Sequence, residues 1–152
     1  MPESTHYRKP GWFTRHVLNG AVAAATHCGV SIWGSRVLEV PGRRTGIPRR
    51  VPVNLLVLDG RHYLVAPRGE SEWVRNVRAA DGHLDLLLGR TRHRHWAEEL
   101  TDHEKPPVLR AYLRRWRAEV GAFFDGVGPD ATDTELQAIA HRHPVFRLHP
   151  SH

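Results

Sequence analysis

Two apolar runs, Arg50–Asp59 and His62–Ala66, are separated by the dipeptide Asp59-Gly60. That pair accepts the positive φ angles of a tight hairpin loop, so the flanking runs are held side by side and antiparallel. The segments around this hairpin carry the same kind of punctuation. Ser35–Val40 reads as a short strand before it, and Pro67-Arg68-Gly69 ends the strand after it. Ser71 can then cap a short helix running through Trp73, Val74 and Val77 to Ala80. His83–Leu88 and Thr91–Leu100 follow as two strands joined at Gly89.

From Asp102 a longer helix places Leu109, Tyr112, Leu113, Trp116, Val120 and Phe123 on one stripe, with Arg110, Arg114, Arg115 and Arg117 mostly off it. That spacing makes the stripe core, Tyr112 included. Gly126–Pro129 is a loop, Thr132–Arg142 a last helix and Pro144–Leu148 a closing strand. Ahead of all this, Trp12, Phe13, His16, Val17, Gly20, Ala21 and Ala24 recur at helical steps. The pattern predicts an α+β fold in which six mostly antiparallel strands curl into a small barrel with flanking helices. At 152 residues the chain is expected to form a single domain over 1–152, with an N-terminal helix over 1–29 and a core over 35–149.

Charge narrows the partners. A formal net charge of +6 with 12 histidines favours an anionic partner, whether phosphorylated small molecule, nucleic acid or acidic membrane. The lone Cys28 rules out an internal disulfide and fits a reducing cytoplasm. Gly11–Cys28 is the only stretch with any membrane character, and Arg15, His16, Asn19 and His27 interrupt it well below the roughly 18 apolar residues a span requires.

The positive charge is most concentrated in VPGRRTGIPRRVPV, residues 40–53, where Arg43, Arg44, Arg49 and Arg50 sit in a hairpin turn with Gly42 and Gly46. Forked guanidinium donors on a backbone that bends freely suit phosphate or carboxylate, although a solvated basic turn has the same composition. APRGESEWVRN, residues 66–76, is a second candidate. There a strand end leads through Arg68 and a glycine into a helix start, whose free N–H groups attract anions, while Glu70 and Glu72 oppose them.

In this order the two segments resemble the deazaflavin (coenzyme F420)-dependent nitroreductase and quinone reductase family of actinobacteria. The residues that carry the likeness are Gly42-Arg43-Arg44-Thr45-Gly46-Ile47-Pro48-Arg49-Arg50-Val51-Pro52, then Ala66, Arg68 and Gly69, then Trp73, Asn76, Arg78 and Ala79, and the closing Pro144, Val145, Phe146 and Leu148. The resemblance implies a split β-barrel related to flavin reductases. It implies that Arg44 and Arg49, helped by Arg43, Thr45 and Arg50, meet the phosphate and acidic tail of F420. It also implies that Pro52 and Ala66-Pro67-Arg68-Gly69 border the deazaflavin ring, and that Trp73 and Asn76 help to wall the pocket.

On this reading a hydride passes between F420 and a small quinone-like or nitroaromatic substrate. The alternative is a split-barrel binding protein for FMN, haem or fatty acid without F420 catalysis. The expected partner is a small molecule and not nucleic acid, because Trp116 belongs to the core stripe and leaves little aromatic interleaving among the arginines. A homodimer and a weak contact of the N-terminal helix with a membrane surface stay open. No metal is expected. His93 and His95 point the same way on a strand, but His83, His103, His141 or His143 would have to be brought to them by folding. No G-x-S-x-G elbow is present, and no catalytic residue is assigned.

Overall fold

The computed structural model describes residues 34–151. The expected helix over 1–29, its membrane contact and Cys28 lie outside the described residues. Seven strands form one antiparallel sheet: β1 (Ser35–Pro41), β2 (Pro48–Asn54), β3 (Leu56–Leu58), β4 (Arg61–Val65), β5 (His83–Leu88), β6 (Thr91–Glu99) and β7 (Val145–Pro150). Their order is β2-β1-β5-β6-β7-β4-β3. Three α-helices accompany them: α1 (Glu72–Ala79), α2 (Pro106–Val120) and α3 (Asp133–Ile139).

The seventh strand arises where the sequence suggests one long strand over Arg50–Asp59. At Leu55 the run breaks, and its amide donates to the carbonyl of Gly34 at 2.9 Å. The first half pairs with β1, Pro52 opposite Val37, and the second half with β4, Val57 opposite His62. One continuous stretch thus supplies both edges of the sheet. The sheet must curl until those edges approach, and the half-barrel follows from that single kink.

Alternation along the strands sorts the side chains onto two faces. Leu38, Val40, Leu64, Leu84, Leu86, Phe146 and Leu148 fill the barrel interior, and α1 closes over it with Val74 and Val77, both fully buried. On the other side of β3, β4 and β7, a second cluster packs α2 and α3 through Leu109, Tyr112, Leu113, Trp116 and Leu136 against Tyr63, Val65 and Val145. Pro106 opens α2 at its first turn, where its missing N–H costs nothing. Thr132 and Glu135 cap α3 reciprocally, with Glu135 N–H donating to Thr132 Oγ1 at 3.1 Å and Thr132 N–H to Glu135 Oε1 at 2.8 Å.

The stripe of the long helix differs at its end. After Val120 the chain leaves the α-helix through a 3-10 turn over Gly121–Phe123, and it is Phe124 that is fully buried, while Phe123 packs at the margin of the core. The last helix likewise shortens to Asp133–Ile139, with a 3-10 turn over Ala140–Arg142 leading into β7.

Gly82 joins α1 to β5 at φ +86°. A Cβ there would lie 2.4 Å from the carbonyl oxygen of Ala97, so only glycine lets the helix end sit this close to β6.

Candidate active site

The arginine turn and the start of α1 meet at one end of the barrel. Residues 42–47 close by Gly42 N–H to Ile47 O at 2.9 Å and Gly46 N–H to Gly42 O at 2.8 Å. Thr45 Oγ1 accepts from Ile47 N–H at 3.1 Å. Asn76 Oδ1 then takes two bonds from Arg43, one from its backbone N–H at 3.1 Å and one from its guanidinium at 2.9 Å. The same guanidinium donates to Glu72 Oε1 at 2.8 Å. Glu72 is exposed, and its carboxyl lies below the usual range chiefly because Arg43 donates to it.

These contacts separate the basic side chains by task. Arg43 latches the turn to α1. Arg50 and Pro52 lie on the opposite face of β2 from Val51 and Val53, which pack against the barrel interior. There Arg50 donates from Nε to Glu39 at 2.8 Å, and Arg92 reaches Glu39 at 2.5 Å and Asp85 at 2.6 Å. Arg92, followed by Arg50, holds the Glu39 carboxyl below its ordinary value. Arg49 alternates with Arg50 and shares the interior side with Val51. Among the described residues neither Arg44 nor Arg49 makes a hydrogen bond or an ion pair within reach, and both are exposed. These two guanidinium groups are the ones available to an outside anion.

The second segment lies beside them. β4 ends at Val65, Ala66 after it is buried, and the chain turns through Pro67, Arg68 and Gly69 into α1. Gly69 N–H closes on Ala66 O at 3.2 Å, and Ser71 N–H on Gly69 O at 2.8 Å. Gly69 adopts φ +87°, and a Cβ on it would press on the carbonyl oxygen of Arg142 at 3.2 Å. The Arg68 guanidinium stands 5.3 Å from the Phe123 ring centroid. Trp73, half-buried, tilts against Phe146 at 5.9 Å. Arg78 ties the helix end to Glu99 at 2.7 Å and to Glu70 at 2.9 Å, and this pairing draws Glu70 to the side away from the arginine turn.

Ser71 holds the N-cap position of α1 but makes no side-chain cap bond, and its buried Oγ has no partner. Free N–H groups at a helix start attract an oxyanion, and Arg44 is near enough to this start for its charge to help lower the Glu72 carboxyl. The closing segment also lies against this turn, which sequence patterning did not indicate. Pro144 O accepts from Ala66 N–H at 2.9 Å.

Tyr112 is core, 2% exposed, with its ring 5.1 Å from Trp116. Burial pushes its phenol pKa up, against a hydrogen bond to Asn54. His95 Nδ1 lies 3.1 Å from the carbonyl of His93, and among the described residues no three His, Cys, Asp or Glu side chains gather in a metal-binding arrangement. No helix of the described residues is long and apolar enough to cross a membrane.

The model of a family described as F420H(2)-dependent quinone reductase matches residues 12–125. The chain belongs to that family. It is therefore an oxidoreductase of the F420 group, and coenzyme F420 is its cofactor. No curated protein matches the chain significantly.

Solved structures bear on the fold of this family member. A protein solved as a domain-swapped dimer is 18% identical with TM-score 0.55, covering 92% of this chain and 99% of its own. An F420-H2-dependent reductase, FDR-A, is 18% identical with TM-score 0.53, covering 76% and 94%. HutZ, a haem storage protein from Vibrio cholerae, is 10% identical with TM-score 0.51, covering 78% and 82%. The split barrel expected from the two loops is the architecture shared with these proteins.

Proposed function

We propose that the protein reduces a small quinone-like or nitroaromatic acceptor with F420H2, and that the acidic tail of the cofactor rests on Arg44 and Arg49. The observation that supports this reading is the latch of Arg43 on Asn76, which ties the turn carrying Arg44 and Arg49 to α1. A polyanion bound there meets donors on a fixed turn, and the two carboxylates nearby are partly offset, Glu72 by Arg43 and Glu70 by Arg78.

Reduced F420 supplies the hydride, so no acid–base dyad is required of the chain. The work of the residues is to bind and to orient. Arg44 and Arg49 hold charge at the mouth. The Ala66–Gly69 turn offers a rigid, buried backbone edge for a flat ring, and Trp73 with Phe146 makes an apolar wall behind it. A homodimer is the assembly in keeping with the similar domain-swapped protein.

Titration with F420, FMN and haem, followed by fluorescence quenching, tests the reading. F420 is expected to bind in the micromolar range, equivalent to about 8 kcal/mol. Charged hydrogen bonds contribute roughly 1.5–3 kcal/mol each, so Arg44→Ala with Arg49→Ala is expected to weaken F420 binding by well over tenfold. Equal binding by the double variant, or a preference for FMN or haem over F420 in the unaltered protein, sinks it.

A further inference from the structure

Among the described residues, two buried side-chain polar atoms have no hydrogen-bond partner: Ser71 Oγ and His143 Nε2. They bracket one short turn, Ala66–Ser71. Ser71 stands at its exit. His143, only 3% exposed, lies behind its entrance, with Nδ1 3.4 Å from the carbonyl oxygen of Ala66.

That carbonyl is shared. It also accepts the Gly69 N–H at 3.2 Å, the bond that closes the turn. Residues on either side of His143 touch the same turn, Arg142 through the carbonyl that faces Gly69 at 3.2 Å and Pro144 through the carbonyl that accepts from Ala66 N–H. The imidazole is fixed from its other side by Phe124, stacked at 4.1 Å with 17° between the planes. An acceptor facing Nδ1 puts the proton on that nitrogen and leaves Nε2 bare. A neutral ring is thus clamped between a fully buried phenylalanine and the turn it supports.

We propose that His143 is a positioning residue: its Nδ1–H fixes the Ala66 carbonyl, and through it the shape of the Ala66–Ser71 turn on which ligand binding depends. The ligand part of this claim rests on the function proposed above, whereas the positioning part does not. Phe124 and the surrounding core account for the ring's packing, so a phenylalanine at 143 keeps the shape and removes only the donor. A glutamine restores a donor.

The test compares His143→Phe and His143→Gln with the unaltered protein in two measurements. The first is amide hydrogen exchange of Gly69 and Ser71 without ligand. The second is the F420 dissociation constant. His143→Phe is expected to stay folded, to lose protection at these two amides by tenfold or more relative to amides of α2, and to bind F420 at least fivefold more weakly. His143→Gln is expected to recover most of both. Unchanged exchange at Gly69 and Ser71 in His143→Phe overturns the proposal whatever the F420 result. Altered exchange in a protein that never binds F420 upholds the positioning and places the failure in the proposed function. If His143→Phe does not fold, His143→Gln decides alone, and a Gly69 and Ser71 exchange pattern in it like that of a mobile loop overturns the proposal.

Discussion

Asn76 and Arg43, 33 positions apart in sequence, are joined twice through one oxygen: Asn76 Oδ1 accepts the backbone N–H of Arg43 at 3.1 Å and its guanidinium at 2.9 Å. A short, buried amide therefore fixes an otherwise exposed turn. Truncation in Asn76→Ala leaves a part-buried N–H and a guanidinium without that acceptor, which costs about 1–3 kcal/mol. Urea unfolding is expected to show a loss in that range, with Asn76→Asp closer to the unaltered protein because it keeps the oxygen. A loss below about 0.5 kcal/mol in Asn76→Ala, the level of an ordinary surface change, contradicts the latch.

Glu72 acts in the opposite sense. It is exposed, and its carboxylate holds one arm of Arg43 while adding negative charge near Arg44 and Arg49. Glu72→Gln is expected to tighten F420 binding a few-fold at low salt. The gain should shrink as ionic strength shortens the screening length from about 10 Å at 0.1 M towards about 3 Å at 1 M. Weaker binding in Glu72→Gln at low salt would mean that the carboxylate orders the site more than it repels.

Much of this was legible because it rests on local rules. Asp59 and Gly60, both at positive φ, mark the hairpin between β3 and β4, and the basic turn and the α1 start fell into a recognisable order. The break at Leu55 was not legible, since Asn54 beside it is only a weak interruption of a Val- and Leu-rich run and the choice of two different partner strands divides it. Nor was the division of labour among the arginines. Which guanidinium is already paired depends on Glu72 and Asn76, far along the chain, and on Glu39, which only the β1–β2 register sets opposite Arg50. Nor was the choice between Phe123 and Phe124, since both lie at helical spacing from Val120 and the α-helix ends there.

Gly82 gives a sharper test of packing. With φ +86° and Ala97 O 2.4 Å from the place of a Cβ, a side chain meets both backbone strain and a carbonyl held in the β6 ladder. The left-handed conformation alone costs about 1–2 kcal/mol, and the clash adds to it because the obstructing atom is backbone. Gly82→Ala is expected to lose more than about 3 kcal/mol by urea unfolding or to fail to fold, a size kept for a few named mechanisms. A variant as stable as the parent would show that α1 does not sit this close to β6.

His143 predicts how stability depends on pH. Burial lowers its pKa from the ordinary 6.5 to about 4, against backbone acceptors at Ala66 and Pro67 and the nearby Asp125, and with help from Lys105. The folded value is the lower one, so between about pH 4 and 6.5 the unfolded chain binds a proton that the folded protein does not. Stability from this group is therefore complete above pH 6.5 and falls as pH drops towards 4. At pH 5 the loss amounts to roughly 2 kcal/mol, one and a half units at 1.36 kcal/mol each. Urea unfolding at pH 8 and pH 5 is expected to differ by about that much more in the unaltered protein than in His143→Phe, which has no imidazole to charge. Equal pH slopes for the two proteins would place His143 in contact with solvent and outside the core that holds the turn.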